Sequence, residues 1–305
     1  MNQSVIVTGS NGLLGQKLVN LLAERPSLKL YATGRGVNRH PLRTGYEYKN
    51  LDLLDFDGWK AFFEKVKPTA IIHGAAATQV DKCELDHEMC DQVNIEATRN
   101  LVKLCQEHGT RMLYVSTDFV FDGENGPYKE GAATGPVNYY GESKVKAEQL
   151  VAESGLQSCI LRTILLYGMT PGMSRSNIVL WVKKSLEEGK NIRVVNDQFR
   201  TPTLAEDLAS ACVSALMREA TGLFHISGPE MMGIHEVAYA VADFWKLDKS
   251  LISETDSPSL GQPARRPPKT GFIILKAQTE LDYKPHTLKE GLAVLDRQLQ
   301  ETAVS

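Results

Sequence analysis

The sequence predicts an α/β fold in which a doubly wound parallel sheet is followed by a smaller C-terminal α/β cap. Short β-rich runs alternate with amphipathic helical runs as far as residue 162, the order that parallel pairing with right-handed crossovers produces. A glycine-rich turn joins the first strand to the first helix, and beyond residue 165 the alternation becomes less regular. We therefore divide the chain at 1–165 and 166–305, with the second part interleaved with the first and packed across its binding edge.

The elements of the first part follow from hydrophobic period and from breakers. Runs of β-forming residues predict strands at 4–8, 28–33, 46–49, 70–73, 111–116 and 156–162. Apolar residues at helical spacing predict helices at 13–24, 56–66, 84–108 and 140–154. Pro68 and Gly109 are the stop signals of the second and third helices.

The second part is predicted from weaker signals of the same kind. Helices are expected at 177–188, 204–218, 234–245 and from Leu288 onward, and strands at 192–195 and 222–226. Residues 257–269 are rich in proline and basic residues, which predicts an ordered surface loop.

Composition excludes several classes of protein. With 305 residues, 42% apolar and 23% charged, the chain can bury a substantial core. A net charge of −3 gives no reason to expect nucleic acid or an acidic membrane surface as partner. No apolar run reaches the roughly 18–20 residues that cross a bilayer. The first strand begins by Ser4, which leaves no room for a signal peptide, and we expect a cytoplasmic protein.

The cysteines and histidines do not predict a metal site. Five cysteines occur, an odd number, and their spacings match no zinc pattern. The seven histidines are scattered, with no His-x-x-x-His pair. We expect the cysteines to be reduced. The lack of a metal-binding pattern argues against a hydrolase or a metal enzyme.

The glycine turn predicts a bound dinucleotide. Gly9, Gly12 and Gly15 permit, between them, a tight turn, close approach of the backbone to a pyrophosphate and close packing of the helix. The anion then meets free N–H groups at the positive end of the helix. The alternative is a structural turn without a ligand. Since the turn lies between a predicted strand and helix, we interpret 1–165 as a Rossmann domain whose turn binds through Gly9, Asn11, Gly12, Leu13, Leu14 and Gly15.

The end of the second strand favours NADP(H), with NAD(H) as the alternative. An NAD-binding turn is usually followed by an acid about 20 residues further on, which binds the ribose 2′-hydroxyl. Here that region contains Arg35 and Arg39 and no carboxylate. Arg35 can pair with a 2′-phosphate. The alternative for this side chain is a solvated arginine.

Tyr140 and Lys144 predict a proton-transfer site. Their i,i+4 spacing places them on one face of a helix. A phenol has a pKa of about 10, and a nearby ammonium lowers it. We expect Lys144 to lower the pKa of Tyr140 in this way and to form a hydrogen bond with the nicotinamide ribose. In the reducing direction, Tyr140 gives its proton to a ketone oxygen as hydride arrives at the carbon. Tyr139 is the weaker candidate because Ser143, four residues on, carries no charge.

Ser116 and Thr117 end a predicted strand on the same edge of the sheet. Either hydroxyl can form a hydrogen bond with the reacting oxygen. The alternative is that the two residues only form a turn at the end of the strand.

The ordered set of motifs resembles an extended short-chain dehydrogenase/reductase, and within that group the dTDP-4-dehydrorhamnose reductases. The likeness covers nearly the whole chain. It is carried by the glycine turn and by Ala75-Ala76-Ala77, Thr78-Gln79-Val80-Asp81-Lys82, Asn94, Tyr114-Val115-Ser116-Thr117-Asp118-Phe119, Tyr140-x-x-x-Lys144, Asp197-Gln198, Pro202-Thr203 and Arg266-Pro267.

The resemblance implies roles for particular residues. Thr117, Tyr140 and Lys144 would be the catalytic trio, and Asn94 would steady the active-site backbone. The cofactor would also contact Asp52, Leu53, Ala75, Ala76, Ser116 and Arg162, with the chain from Arg162 to Leu165 passing the nicotinamide. The substrate would contact Thr78, Val80, Thr117, Phe119, Leu165, Gln198 and Arg266.

Two positions depart from the family pattern. Phe119 stands where the family usually has tyrosine, and Leu165 where it often has tryptophan. Both are expected to contact the sugar, so that the hydrogen bonding and the volume of the pocket change. The reaction type is therefore better defined than the sugar.

Three functions of this fold stay open. The first is NADP(H)-dependent reduction of the 4-keto group of a nucleotide-linked deoxysugar, as in dTDP-rhamnose biosynthesis. The second is a nucleotide-sugar epimerase or dehydratase, although a dehydratase typically has Asp-Glu where this chain has Asp118-Phe119. The third is a non-catalytic regulatory subunit, for instance of methionine adenosyltransferase. A homodimer through 84–108 and 140–154 and a magnesium ion at a subunit contact are further features of relatives, and no ligands for such a magnesium map onto this chain.

Overall fold

The structure is a computed structural model, and it describes residues 3–173 and 176–304. Its strands are β1 (Gln3–Thr8), β2 (Leu28–Gly34), β3 (Glu47–Asn50), β4 (Ala70–His73), β5 (Arg111–Thr117), β6 (Ser158–Thr163), β7 (Leu166–Tyr167), β8 (Ile192–Val195), β9 (Phe199–Arg200), β10 (Thr203–Leu204), β11 (Gly222–Ile226), β12 (Met232–Gly233) and β13 (Ile252–Thr255). Its α-helices are α1 (Leu13–Ala23), α2 (Phe56–Val66), α3 (Val80–Leu85), α4 (His87–Asp91), α5 (Ala97–His108), α6 (Tyr139–Ala152), α7 (Ile178–Glu187), α8 (Ala205–Met217), α9 (Ile234–Trp245), α10 (Leu275–Glu280) and α11 (Leu288–Val304).

One parallel sheet organises the molecule. Its strand order is β11-β6-β5-β4-β1-β2-β3, and every neighbouring pair is parallel. From β1 the chain moves outward through β2 and β3, then returns and moves the other way through β4, β5 and β6. The carboxyl ends of β1 and β4 therefore mark the point where strand order reverses, which is where such sheets bind ligands. The predicted doubly wound fold is confirmed.

The two faces of the sheet carry separate apolar cores. Along β1, Val5 and Val7 pack into the core beneath α1 and α8, whereas Ile6 packs into the core beneath α2 and α5. This alternation follows from the period of two in a strand, and both faces are buried because helices cover each of them.

The cap has a core of its own. Helices α7, α9 and α11 pack around the parallel pair β8–β13, and Val179, Val237 and Leu292 are almost fully buried there. Elements from beyond residue 165 also lie in the sheet domain: β11 pairs with β6, α8 packs on α1 and α10 packs on β11.

The predicted helix at 84–108 is wrong at its N-terminal end. The chain forms α3, breaks at Asp86 with φ −139°, and starts again at His87. The Asp86 carboxylate accepts a hydrogen bond from the Met89 N–H at 3.0 Å, and aspartate favours such a capping position over a helix interior. A π-helical turn, Gln92–Glu96, then joins α4 to α5. The apolar spacing indicated the buried face but not these interruptions.

All five cysteines lie among the described residues, where they are buried and form no disulfide bond. In the parts of the chain that the structure describes, no helix combines the length and apolar character needed to cross a bilayer. Within the same residues, no group of three or more His, Cys, Asp or Glu side chains is arranged to hold a metal.

Candidate active site

The glycine turn forms a cradle at the start of α1. Gly9 has φ 70°, which glycine adopts without strain, and its carbonyl accepts the Gly12 N–H at 2.9 Å. A Cβ atom on Gly15 would lie 2.2 Å from the Gly9 carbonyl oxygen, so only glycine fits there. No side chain caps α1 at Gly12. The first N–H groups of the helix are therefore available to an anion.

A cleft of about 720 Å³ runs from this turn across the ends of β4 and β5 to α6. The structure brings nearly all predicted site residues to its wall: Gly9, Asn11, Gly12, Leu13, Leu14, Gly15, Arg35, Asp52, Leu53, Ala75, Ala76, Thr78, Val80, Ser116, Thr117, Phe119, Tyr140, Lys144 and Leu165. Three predicted residues, Arg162, Gln198 and Arg266, do not line it.

Asn11 organises the far end of the cleft. Its amide donates to the carbonyls of Arg35 and Val37 at 3.1 and 3.0 Å, and its oxygen accepts the Arg39 N–H at 2.9 Å. The Arg35 side chain is 81% exposed and its Nη1 lies 3.9 Å from a carboxylate oxygen of Asp52. The sequence suggested that no carboxylate reaches this region, and the structure corrects this because the end of β3 brings Asp52 beside Arg35.

Lys144 is buried beneath the end of β5. Its Nζ donates to the Tyr114 hydroxyl at 2.5 Å and to the Val115 carbonyl at 2.9 Å. Burial lowers the pKa of Lys144 to about 7, although the Glu148 carboxylate opposes this shift. An ammonium has three hydrogens, and these two contacts use two of them.

Tyr140 is also buried, and its pKa differs from the expectation. Burial raises the pKa of Tyr140, while a hydrogen bond with Thr117 opposes that rise. The expected lowering by Lys144 is wrong for this structure, because the ammonium is held by Tyr114 and Val115 and the loss of water around the phenol dominates. Tyr140 therefore keeps its proton throughout the neutral range. Tyr139, the weaker candidate, stacks on His87 at 3.6 Å and does not line the cleft.

Two buried hydroxyls in the wall of the cleft have no hydrogen-bond partner in the protein. They are Ser116 Oγ on β5 and Thr163 Oγ1 on β6, and both residues line the same cleft as Tyr140 and Lys144. Buried polar groups are normally paired, so these hydroxyls indicate a polar ligand at this point. Together with the cradle at Gly9, they fit a dinucleotide that spans the cleft.

Asn94 connects the elements on which the site is built. Its side chain forms two hydrogen bonds with the backbone of Ala77, at 2.8 and 3.1 Å, and donates to Ser143 Oγ on α6 at 2.9 Å. It lies in the π-helical turn and is 1% exposed. Sequence reasoning from the residues alone gave no signal for it, and only the resemblance selected it.

The three residues outside the cleft have structural partners. Arg162 is buried and forms a two-point ion pair with Glu148, at 2.6 and 2.9 Å. Arg266 forms a two-point ion pair with Asp81, at 2.6 and 2.7 Å. The Gln198 side-chain amide donates to Ser257 Oγ at 2.8 Å. The cofactor contact of Arg162 stays a prediction; in this structure its guanidinium pairs with the buried Glu148 carboxylate.

A further buried ion pair was missed by the sequence analysis. Arg200 Nε lies 3.4 Å from Asp118 Oδ2, and both side chains are 3% exposed. Asp118 directly follows Thr117, so this pair borders the candidate proton-transfer site. The residues are 82 positions apart, and no pattern in the sequence connects them.

Comparison with known proteins adds to this geometry. The model of the RmlD substrate binding domain family matches residues 2–300 of the chain. The chain belongs to the RmlD family. The predicted membership in the extended short-chain dehydrogenase/reductases, near the dTDP-4-dehydrorhamnose reductases, is confirmed.

Solved and curated relatives of this RmlD-family protein differ in what their names state. The dTDP-4-dehydrorhamnose reductase of Bacillus anthracis, solved in complex with NADP, superposes with a TM-score of 0.84 and 26% identity, over 98% of this chain and 100% of that one. The methionine adenosyltransferase 2 subunit beta of Pongo abelii is 32% identical, over 91% of this chain and 82% of that protein. The probable low-salt glycan biosynthesis reductase Agl14 of Haloferax volcanii is 29% identical, over 95% and 96%.

Proposed function

We propose that this protein reduces the 4-keto group of a nucleotide-linked deoxysugar with NADPH in the cytoplasm. The observation that carries the proposal is the convergence of Ser116, Thr117, Tyr140 and Lys144 in one cleft with the Gly9–Gly15 cradle. The named reductases among its relatives support the reaction type.

The residues of the chain divide the work of such a reaction. When bound, the nicotinamide supplies a hydride. The Gly9–Gly15 turn and the start of α1 hold the pyrophosphate, and the third hydrogen of Lys144 is available to a ribose hydroxyl. Tyr140 keeps its proton in the neutral range and gives it to the oxygen of the keto group. Ser116 Oγ, which lacks a hydrogen-bond partner in the protein, can form a hydrogen bond with a polar group of the bound ligand.

We further propose a preference for NADP(H) over NAD(H). The exposed Arg35 guanidinium lies at the adenosine end of the cleft and can pair with a 2′-phosphate. Asp52, 3.9 Å away, partly neutralises this charge, so the preference is expected to be moderate.

A substrate assay tests the proposed function directly. Purified protein with NADPH and dTDP-4-keto-6-deoxy-L-mannose should show the loss of absorbance that accompanies oxidation of the reduced nicotinamide. A panel of other nucleotide-linked keto sugars then defines the substrate, with NADH in place of NADPH as the cofactor control. Absence of turnover across the whole panel would contradict the proposal.

The second candidate is a non-catalytic regulatory subunit, favoured by the 32% identity to a methionine adenosyltransferase subunit beta over 91% of the chain. The buried Thr117, Tyr140 and Lys144 argue against a purely regulatory role, because a subunit without activity does not need these proton-transfer residues. Co-elution with a methionine adenosyltransferase catalytic subunit, together with failure to reduce any keto sugar, would select the second candidate.

A further inference from the structure

Asp118 lies between the proton-transfer site and the cap. Its side chain is 3% exposed at the carboxyl end of β5. One carboxylate oxygen is 3.1 Å from Thr117 Oγ1. The other is 2.5 Å from Thr270 Oγ1 and 3.4 Å from Arg200 Nε. Both oxygens therefore face groups that can donate hydrogen bonds.

The partners of Asp118 extend into one segment of the cap, residues 264–271, which we call the strap. Thr270 belongs to the strap. Arg200 donates to the strap carbonyls of Pro267 and Pro268 at 2.6 and 3.2 Å. Backbone hydrogen bonds and side chains hold the strap at other points as well, among them Asp81, which binds Arg266, and the Asn138 side chain at the start of α6, which donates to the Arg265 carbonyl at 2.7 Å.

The hydrogen-bond directions around Thr117 follow from the charges. Burial raises the pKa of Asp118, whereas the Arg200 guanidinium 3.4 Å away, which stays protonated, favours the ionised carboxylate, and an ionised Asp118 can only accept hydrogen bonds. The single hydrogen of the Thr117 hydroxyl therefore goes to Asp118. The oxygen of the same hydroxyl accepts the Phe119 N–H at 3.3 Å, and the hydroxyl is also hydrogen-bonded with Tyr140.

We propose that Asp118 is a positioning residue, which holds the Thr117 hydroxyl in place beside Tyr140 and couples that position to the docking of the strap. This inference rests on the proposed function, because it concerns the same proton-transfer site. It assigns to the cap a part in aligning Tyr140 as well as in covering the cleft.

A double-mutant cycle tests whether Asp118 acts through Thr117. Asp118→Asn should lower kcat about tenfold or more, since loss of orientation at a reacting group is costly, while the Kd for NADPH changes less than about twofold. In a Thr117→Val background the same substitution should change kcat little, because the hydroxyl that it orients is gone. An equal fold loss in both backgrounds would overturn the proposal.

Asp81→Asn is the matched control. It removes the other aspartate–arginine pair that holds the strap but has no contact with Thr117. Asp81→Asn should raise KM for the sugar and leave kcat within about threefold of the wild-type value. If the role of Asp118 were purely structural, Asp118→Asn would show the same result, a raised KM with kcat nearly unchanged.

Hydrogen exchange provides a readout that does not need turnover. Asp118→Asn should lower the protection of the backbone at 116–121 and at 264–271, whereas Asp81→Asn should lower it at 264–271 only. Unchanged protection at 116–121 in Asp118→Asn would overturn the proposal even if the wild type reduces no keto sugar. If Asp118→Asn does not fold, Thr270→Val removes one donor to the same carboxylate and should give a smaller effect in the same direction.

Discussion

The Lys144 ammonium lies 2.5 Å from the Tyr114 hydroxyl and 4.1 Å from the centre of the Tyr114 ring. The aromatic face and the Val115 carbonyl stabilise a charge that is removed from water. The cost of burial is not fully offset, because the pKa of Lys144 falls to about 7. The buried charge of Lys144 therefore lowers the stability of the folded protein when no ligand is bound.

The first prediction concerns this cost. Lysine has a pKa of 10.5 when unperturbed and about 7 in the folded protein, so between these pH values the unfolded chain binds more protons and stability rises with pH. Lys144→Met removes the effect. Near pH 7 the variant should melt at a higher temperature than the wild type, and the difference should shrink as the pH approaches 10.5. Thermal unfolding without cofactor at several pH values measures this. A variant that melts lower near pH 7 would show that the ammonium is a net stabiliser.

The second prediction concerns the cradle. Gly15→Ala would place a Cβ atom 2.2 Å from the Gly9 carbonyl oxygen, so the turn must shift and binding of NADPH should weaken by at least about tenfold. Gly131→Ala is the control, since its Cβ would meet nothing within 4 Å. Fluorescence titration with NADPH compares the two. Equal affinity in both variants would show that the cofactor does not use this turn.

The third prediction concerns cofactor choice. Arg35→Ala should raise the Kd for NADPH about tenfold, the effect of one charge-assisted contact at an exposed site, and change the Kd for NADH by less than about twofold. Arg25→Ala, an exposed arginine away from the cleft, should alter neither. A loss of affinity that is equal for both cofactors would assign Arg35 to a contact other than the 2′-phosphate.

Much of the fold was predictable because its signals are local. The strand at 70–73 and the helices at 56–66 and 234–245 were predicted to the residue, since runs of buried residues and stop signals define them. The break at Asp86 and the π-helical turn around Asn94 were not predictable, because a continuous apolar face crosses both. The pairing of β11 with β6 joins residues more than sixty positions apart, and no local pattern indicates it.

The candidate site also contains features that local sequence signals predict and features that only tertiary packing determines. The cradle and the pair Tyr140 and Lys144 were visible because their chemistry depends on short spacings. The partners of Arg162 and Asp118, namely Glu148 and Arg200, are set by tertiary packing. The direction of the pKa shift of Tyr140 was missed for the same reason, since burial of a phenol is a property of the folded chain.

The most direct test of the account is a comparison of Tyr140→Phe with Tyr139→Phe. Each variant removes one hydroxyl from neighbouring positions of α6, but only Tyr140 lines the cleft beside Lys144. With the keto sugar that the wild type reduces best, kcat of Tyr140→Phe should fall by at least about a hundredfold with the Kd for NADPH nearly unchanged, and Tyr139→Phe should retain wild-type turnover. Undiminished turnover in Tyr140→Phe would contradict the assignment of Tyr140 as the proton donor.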